Sequence, residues 1–289
     1  MKRMEITEII FKVLAYLFLT VFALFCLYPF VYSLSASISG RDAFQTGKVV
    51  LFPVDIQFGA FSAVLNTKGF WVSYSNTLFV TFYGTVFSVA TSILGAYALS
   101  KKRLPFRSLL SFFFVFTLWF SAGLVPQLLN YMGTQELFDI VTKDDKWLVV
   151  AAMGMAAFNV ILLRNAFEGV SGEIEEAAIV DGATEFQLLK KIYLPMCKSA
   201  IATVALFFAI SRWNGFFWAR QMIRNKNEWP LQVYIRDTLE KIDELDRGDY
   251  APNSLIYAMV VCAVIPILVI YPYIQKYFAK GVSMGGVKE

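Results

Sequence analysis

Long stretches without a single charged side chain constrain this chain more than any other feature. Residues 13–40, 69–100, 108–135, 147–163 and 250–275 contain no Asp, Glu, Lys or Arg. A bilayer core about 30 Å thick is crossed by about 20 mostly apolar residues in an α-helix. Lipid offers no partner to main-chain N–H and C=O groups, so such runs fold as helices that satisfy themselves. These five runs predict five membrane spans. A sixth stretch, SAIATVALFFAISRWNGFFWARQMI at 199–223, is long and apolar enough but contains Arg212 and Arg220. An Arg near the middle of a span costs about 2.5–3.5 kcal/mol on insertion scales, and such residues face a bundle interior or a water-filled cavity. The stretch therefore reads as a span with a polar face. The prediction is an all-α integral membrane protein with about six transmembrane helices. They lie near 11–34, 72–99, 107–130, 147–167, 199–223 and 252–276, within a single domain over 1–289.

Composition points the same way. The chain is 57% apolar and 17% charged, where a soluble domain has about 45–50% and about 25%. It has no histidine, which excludes His-based metal sites, His general bases and serine-type triads. Cys26, Cys197 and Cys262 stand far apart with no CxxC pair; they read as small buried hydrophobes, not as a disulfide framework. The net charge of +4 comes from bases scattered between apolar runs, which argues against a nucleic-acid partner. The first apolar run is too long for a signal-peptide core and reads as the first membrane helix. No internal repeat or low-complexity tract is visible.

The segment KKRLPFR at 101–107 carries four bases and no acid, which marks it as cytoplasmic. Six spans then place both termini in the cytoplasm, in agreement with Lys2, Arg3, Lys276, Lys280 and Lys288. Residues 224–249 run against this assignment. Arg224, Lys226, Arg236, Lys241 and Arg247 fall outside, beside Glu228, Asp237, Glu240, Asp243, Glu244, Asp246 and Asp249. Within that segment, 230–245 reads as a short amphipathic helix.

The loop at 168–198 is the most informative stretch. Glu173, Glu175 and Glu176 crowd the start of a short helix, where the dipole favours negative charge. Ile174, Ala177 and Ala178 share one face by spacing. Gly182 permits the left-handed conformation that ends a helix. Thr184 and Gln187 form a capping-box pattern that starts a second one. Lys190 and Lys191 lie near its end, and Pro195 marks its stop. A helix–Gly–helix element of this kind suits a groove on a soluble partner; an amphipathic connector lying on the membrane fits the residues equally well.

This stretch resembles the EAA loop of binding-protein-dependent ABC importer permeases. Glu176, Ala177, Ala178, Asp181, Gly182, Ala183, Ile192, Leu194 and Pro195 stand at the matching places. The resemblance extends to LYPFVYSLSASIS at 27–39, SNTLFVT at 75–81, RWNGFFW at 212–218 and the tail at 277–289, which are similar to the carbohydrate-uptake branch, especially its polysaccharide- and oligosaccharide-associated permeases. It implies a type I importer fold in the bacterial cytoplasmic membrane, with coupling helices between spans four and five that dock on an ATPase dimer. It also implies a second homologous permease forming a heterodimer, and an extracellular or periplasmic solute-binding protein. ATP and Mg are expected on the ATPase: this chain has no GxxxxGK[ST] loop, and Gly47–Lys48 is followed by Val49. No cofactor, metal or catalytic residue is expected on the chain itself.

For the substrate path, Arg212, Trp213, Asn214 and Trp218 in span five and Asn159 in span four are the candidates. Aromatic faces stack on a pyranose, amides bond its hydroxyls and Arg pairs an acidic sugar. Interfacial anchoring explains the Trp residues as readily, and a contact with a carbonyl or a partner's acid explains Arg212. A peptide or amino-acid cargo is an alternative. An ion-coupled secondary transporter is a weaker one, because its buried acids and repeats are missing from the spans.

Overall fold

The computed structural model describes residues 6–141, 145–242 and 250–283. Lys2, Arg3, Lys288, Arg247 and the acids Asp243, Glu244, Asp246 and Asp249 lie outside the described residues. All regular structure among the described residues is helical. In order the helices are α1 (Ile6–Ser37), α2 (Arg41–Gln45), α3 (Gly59–Asn66), α4 (Lys68–Ser100), α5 (Arg107–Trp119), α6 (Leu124–Val141), α7 (Asp145–Ala152) and α8 (Ala157–Glu168). Then follow α9 (Gly172–Val180), α10 (Glu185–Met196), α11 (Lys198–Trp213), α12 (Phe217–Met222), α13 (Leu231–Glu240) and α14 (Pro252–Ser283). Three helices are long and apolar enough to cross a membrane, or up to six elements if each of three bent pairs counts as one span.

Three of the expected spans are broken. Over 107–130 the chain forms α5 and then α6, bent by 117°. The thirteen residues of α5 cover only about 20 Å at 1.5 Å per residue. The break falls at Phe120–Gly123, where Gly123 takes φ +84°. Pro126 then sits in the first turn of α6, where its missing N–H costs nothing. The span expected at 147–167 is α7 and α8, bent by 50° across Met153–Ala156. The span expected at 199–223 is helical only to Trp213, and α12 starts after Asn214, Gly215 and Phe216. A further bend of 83° separates α10 from α11. Pro195 does not stop α10 at once: a π-helical turn at Leu189–Tyr193 widens the helix before it, and the helix ends at Met196.

The chain divides into two compact units, Met1–Phe70 with Ile235–Ile267, and Trp71–Tyr234 with Leu268–Glu289. In the first, the apolar length of α1 is uncovered, with none of its most hydrophobic window buried. Cys26 is exposed there, contrary to the expectation for it, while Cys197 is buried. Tyr257 holds the end of α1 and helix α2 by ring contacts to Tyr32 (5.6 Å) and Phe44 (6.0 Å). Helix α13 ends at Glu240, short of the expected 245, and 243–245 lie outside the described residues.

The second unit has two apolar clusters strung along α4. The C-terminal half of α4 contributes Ala96 and Leu99 to a cluster with Val160, Leu163 and Phe167 of α8, Leu189 and Tyr193 of α10, and Val204 and Phe208 of α11. Its N-terminal half contributes Val80 to a cluster with Leu148 and Val149 of α7, Met222 of α12, and Trp229. The buried face of α4 is lined by small residues, including Ser73, Thr77, Ser88 and Ser92, which let neighbouring helices approach closely.

Candidate functional site

The loop between α8 and α11 holds the predicted helix–Gly–helix element. Helix α9 closes with a Schellman motif: Ala183 N–H donates to Ala178 O (2.9 Å) and Gly182 N–H to Ile179 O (3.0 Å). Gly182 supplies the left-handed residue this needs, at φ +81°. Two residues later the reciprocal cap forms: Thr184 N–H donates to Gln187 Oε1 (2.9 Å) and Gln187 N–H to Thr184 Oγ1 (3.4 Å). The two caps leave one residue, Ala183, between left-handed glycine and N-cap, so the angle between α9 and α10 is fixed by local bonds.

The motif residues divide by exposure. Glu176, Ala177, Asp181, Gly182 and Pro195 are exposed, and Ala178, Ala183, Ile192 and Leu194 are half-buried. Ile192 and Leu194 pack against the inner cluster. Around the exposed ones stand large apolar side chains, among them Val180 at 86% and Phe186 at 70% exposure.

Sequence reasoning missed how this loop is anchored. Lys101 Nζ pairs with Glu175 Oε1 (2.8 Å), and Tyr193 OH donates to Glu175 Oε2 (2.6 Å). Lys101 also sits over the rings of Tyr193 (3.9 Å) and Tyr97 (4.4 Å). Tyr97 OH donates to Glu185 Oε2 (2.8 Å), and Arg103 pairs with Glu185 and, at 3.8 Å, with Glu175. Arg107 pairs with Glu168, which also holds Arg164 at 2.8 Å. The KKRLPFR run thus ties the end of α4 to both helices of the loop. Burial pushes the Glu175 carboxyl up, but the bonds from Lys101 and Tyr193 outweigh it and hold it below its ordinary value. Burial pushes the Lys101 ammonium down against the pull of Glu175. Burial, then Glu175, push the Tyr193 phenol up.

Two cavities flank α11. One, of about 380 Å³, is lined by Val80, Arg212, Asn214, Phe217, Trp218 and neighbours; the other, of about 330 Å³, includes Gln127, Tyr131, Asn159, Ser211, Arg212 and Trp218. Four of the five substrate-path candidates therefore border them. Trp213 borders neither; it is buried against Tyr74, ring to ring at 6.1 Å. Asn214 turns its amide back to Ile210 O (3.0 Å), closing α11. Arg212 is 3% exposed. It donates to Val149 O (3.0 Å), Ser88 Oγ (3.0 Å) and Met153 O. It thereby caps carbonyls that the break after α7 sets free. A Cβ at Gly84 would lie 3.0 Å from Arg212 Nε, so glycine there makes room for the guanidinium. Gln127, Tyr131 and Ser211 line the second cavity beside Asn159 and Arg212, which helix spacing alone does not reveal. The glycine-interrupted apolar run at 153–156 was the available signal, because broken helices line transport sites. Among the described residues no three Cys, Asp or Glu side chains gather where they hold a metal ion.

Comparison with known proteins gives consistent matches over nearly the full length. The family profile described as "Binding-protein-dependent transport system inner membrane component" matches residues 55–284. The "Polygalacturonan/rhamnogalacturonan transport system permease protein YtcP" of Bacillus subtilis is 34% identical, over 96% of this chain and 98% of its own. The "Maltodextrin transport system permease protein MdxG" of the same organism is 24% identical, over 96% of each. A solved chain from a bacterial ABC transporter "involved in the import of the acidic polysaccharide alginate" superimposes with a TM-score of 0.85 at 40% identity, covering 96% of this chain and all of that one.

Proposed function

Because the chain belongs to the family of binding-protein-dependent transport system inner membrane components, we propose that it is one permease of an ATP-driven importer for oligosaccharides derived from acidic polysaccharides. The chain is a transport subunit, not an enzyme. The observation that carries the reading is the exposed α9–Gly182–α10 element, with its two interlocking caps and its uncovered Val180 and Phe186. Glu176, Ala177, Ala178, Asp181, Gly182 and Ala183 form the face that enters a cleft of the ATPase. Ile192 and Leu194 seat that face on the inner cluster, and Pro195 lies beside them at the end of α10. Movement of the loop passes to α4 through Glu175–Lys101 and to α11 through the bend after Met196, so ATP binding in the partner reshapes the cavities beside α11.

In this reading the six spans are those expected from the sequence, several of them broken, with the loop at 168–198 and both termini in the cytoplasm of a bacterium. ATP and Mg act on the partner ATPase, a second permease completes the path and an external solute-binding protein delivers cargo. The acidic cargo rests on the relatives that handle polygalacturonan and alginate, both polymers of uronic acids. Asn159, Arg212, Asn214 and Trp218 border the path, and Trp213 supports it from behind. The test is a mild-detergent purification of the tagged chain from its host with identification of every co-purifying chain. Recovery of an ATPase with a phosphate loop and a second permease is expected. A chain that purifies alone in several detergents would overturn the reading.

A further inference from the structure

We propose that the cavity between Asn159 and Arg212 is a binding site for the carboxylate of a uronic-acid residue, received at the open N-terminus of α8. This rests on the reading of the chain as a permease for acidic oligosaccharides and names the group that the path recognises.

Helix α8 is twelve residues long and starts behind Ala156, which brings no side-chain acceptor to its first turn. Its ladder begins with Val160 N–H donating to Ala156 O (3.1 Å). The N–H groups of Ala157, Phe158 and Asn159 therefore point out of the helix end. That end carries about half a positive charge from the helix dipole and is a ready anion site. Met155, Ala156 and Asn159 line the 330 Å³ cavity, so the start of α8 borders it through Asn159. The volume lies within the usual range of small-ligand sites, about 300–1,000 Å³.

A second observation points to a ligand independently. Asn159 is 5% exposed, borders the cavity, and among the described residues its amide meets no hydrogen-bond partner. Its amide is not sealed off from the cavity, and a carboxylate oxygen is an acceptor for its Nδ2–H group. Arg212 lines the same cavity. Its partners are two carbonyls and a hydroxyl, so none of them cancels its charge. Helix end, amide and guanidinium all favour a negative group. A discontinuous helix that turns its N-terminus to an anionic substrate is an established solution in membrane transport. A neutral pyranose uses the flanking Tyr131, Trp218, Gln127 and Ser211 equally well but gains nothing from the positive end.

The test uses the complete transporter in liposomes with its binding protein. Stimulation of ATP hydrolysis is compared between a galacturonate trisaccharide and its methyl ester, which has the same skeleton without the charge. The wild type is expected to respond to the free acid. In Asn159→Asp, which sets a carboxylate at the helix end, the ratio of acid to ester response is expected to fall at least tenfold. The binding protein is common to both, so the change reports on this chain. A ratio unchanged within twofold overturns the proposal. Where Asn159→Asp loses both responses, Asn159→Ser decides: loss confined to the free acid supports the site, and equal loss overturns it. A wild type that answers the ester as well as the acid overturns the site while the carbohydrate reading stands. A wild type that answers neither overturns both.

Discussion

The bases beside the coupling loop and the base buried in α11 are held in opposite ways. Lys101, Arg103 and Arg107 each meet a carboxylate, and the pairs are partly open to solvent, with Arg103 and Glu185 both more than half exposed. Arg212 is 3% exposed and its partners are neutral oxygens. The difference follows from what water does at each place. At the loop, water screens the Arg103 and Arg107 pairs and stands in for a lost partner, while Lys101 keeps its pair with Glu175 largely inside. At the break after Ala152, carbonyls have left their helix in an apolar setting and need a donor that stays. The loop is therefore built of many replaceable contacts, and the break of one that is not.

The strongest way to break this contrast is to remove the single donor. Arg212→Met leaves Val149 O, Met153 O and Ser88 Oγ facing a hole. The expected loss is about 3–5 kcal/mol, as for breaking other buried charged contacts. In a detergent-solubilised thermal melt this lowers the midpoint by about 10 °C. Arg212→Lys recovers less than half, since one ammonium does not span three acceptors set for a planar fork. A shift under about 3 °C would mean that the carbonyls find other donors, and the two regions would then be alike.

Gly182 comes next. A Cβ there meets nothing within 4 Å, yet φ is +81°. The constraint is thus conformational and not one of space. Gly182→Val is expected to cost about 1–2 kcal/mol and to abolish coupled uptake, while Gly182→Asn, which tolerates this conformation, keeps most of it. Equal uptake by the Val and Asn variants would show that the joint angle does not matter.

These two residues also mark where the sequence is legible. Gly182, Thr184 and Gln187 announce their roles within six positions, because a Schellman motif and a capping box are local bonds. The apolar runs predict where helices lie for the same reason. The break at 153–156 is held by a distant residue: Arg212 finds Val149 and Ser88 across 63 and 124 residues. The same holds for Glu175, whose partners Lys101 and Tyr193 lie on two other elements. In the sequence it is one of three similar glutamates, and only packing distinguishes the inward Glu175 from the exposed Glu176.

Glu175 offers a smaller test with a pH signature. Glu175→Gln removes the pair with Lys101 but keeps an acceptor for Tyr193. The expected cost is about 1 kcal/mol for a partly exposed contact. The Glu175 carboxyl is held below its ordinary value. Its stabilising contribution is therefore complete above the unfolded value and is lost as pH falls through the lowered one. The phenol of Tyr193 is held above its ordinary value, so its share persists until strongly alkaline pH. The difference in melting point between wild type and Glu175→Gln should stay level from about pH 6 to pH 9 and shrink below about pH 4. A difference that grows on acidification would reverse the sign and remove the ion pair as its source.

The smallest expected effect is at Arg107, which is the loop's nearest counterpart to Arg212. Arg107 Nε donates to Leu99 O (2.8 Å) at the end of α4, much as Arg212 caps the end of α7. Its other partner, Glu168, keeps a second base in Arg164, and the side chains of Arg107 and Glu168 are 27% and 32% exposed. Arg107→Ala therefore costs only about 0.5 kcal/mol, and Arg107→Lys close to nothing. Salt separates the two arginines most cleanly. At 1 M salt the screening length falls to about 3 Å, so the stability difference between wild type and Arg107→Ala should shrink to what the bond to Leu99 O contributes. The Arg212→Met difference should change little, since its contacts are bonds to neutral oxygens. Equal salt sensitivity at both positions would mean that charge, and not bonding to neutral oxygens, dominates what Arg212 contributes, and the contrast would fall.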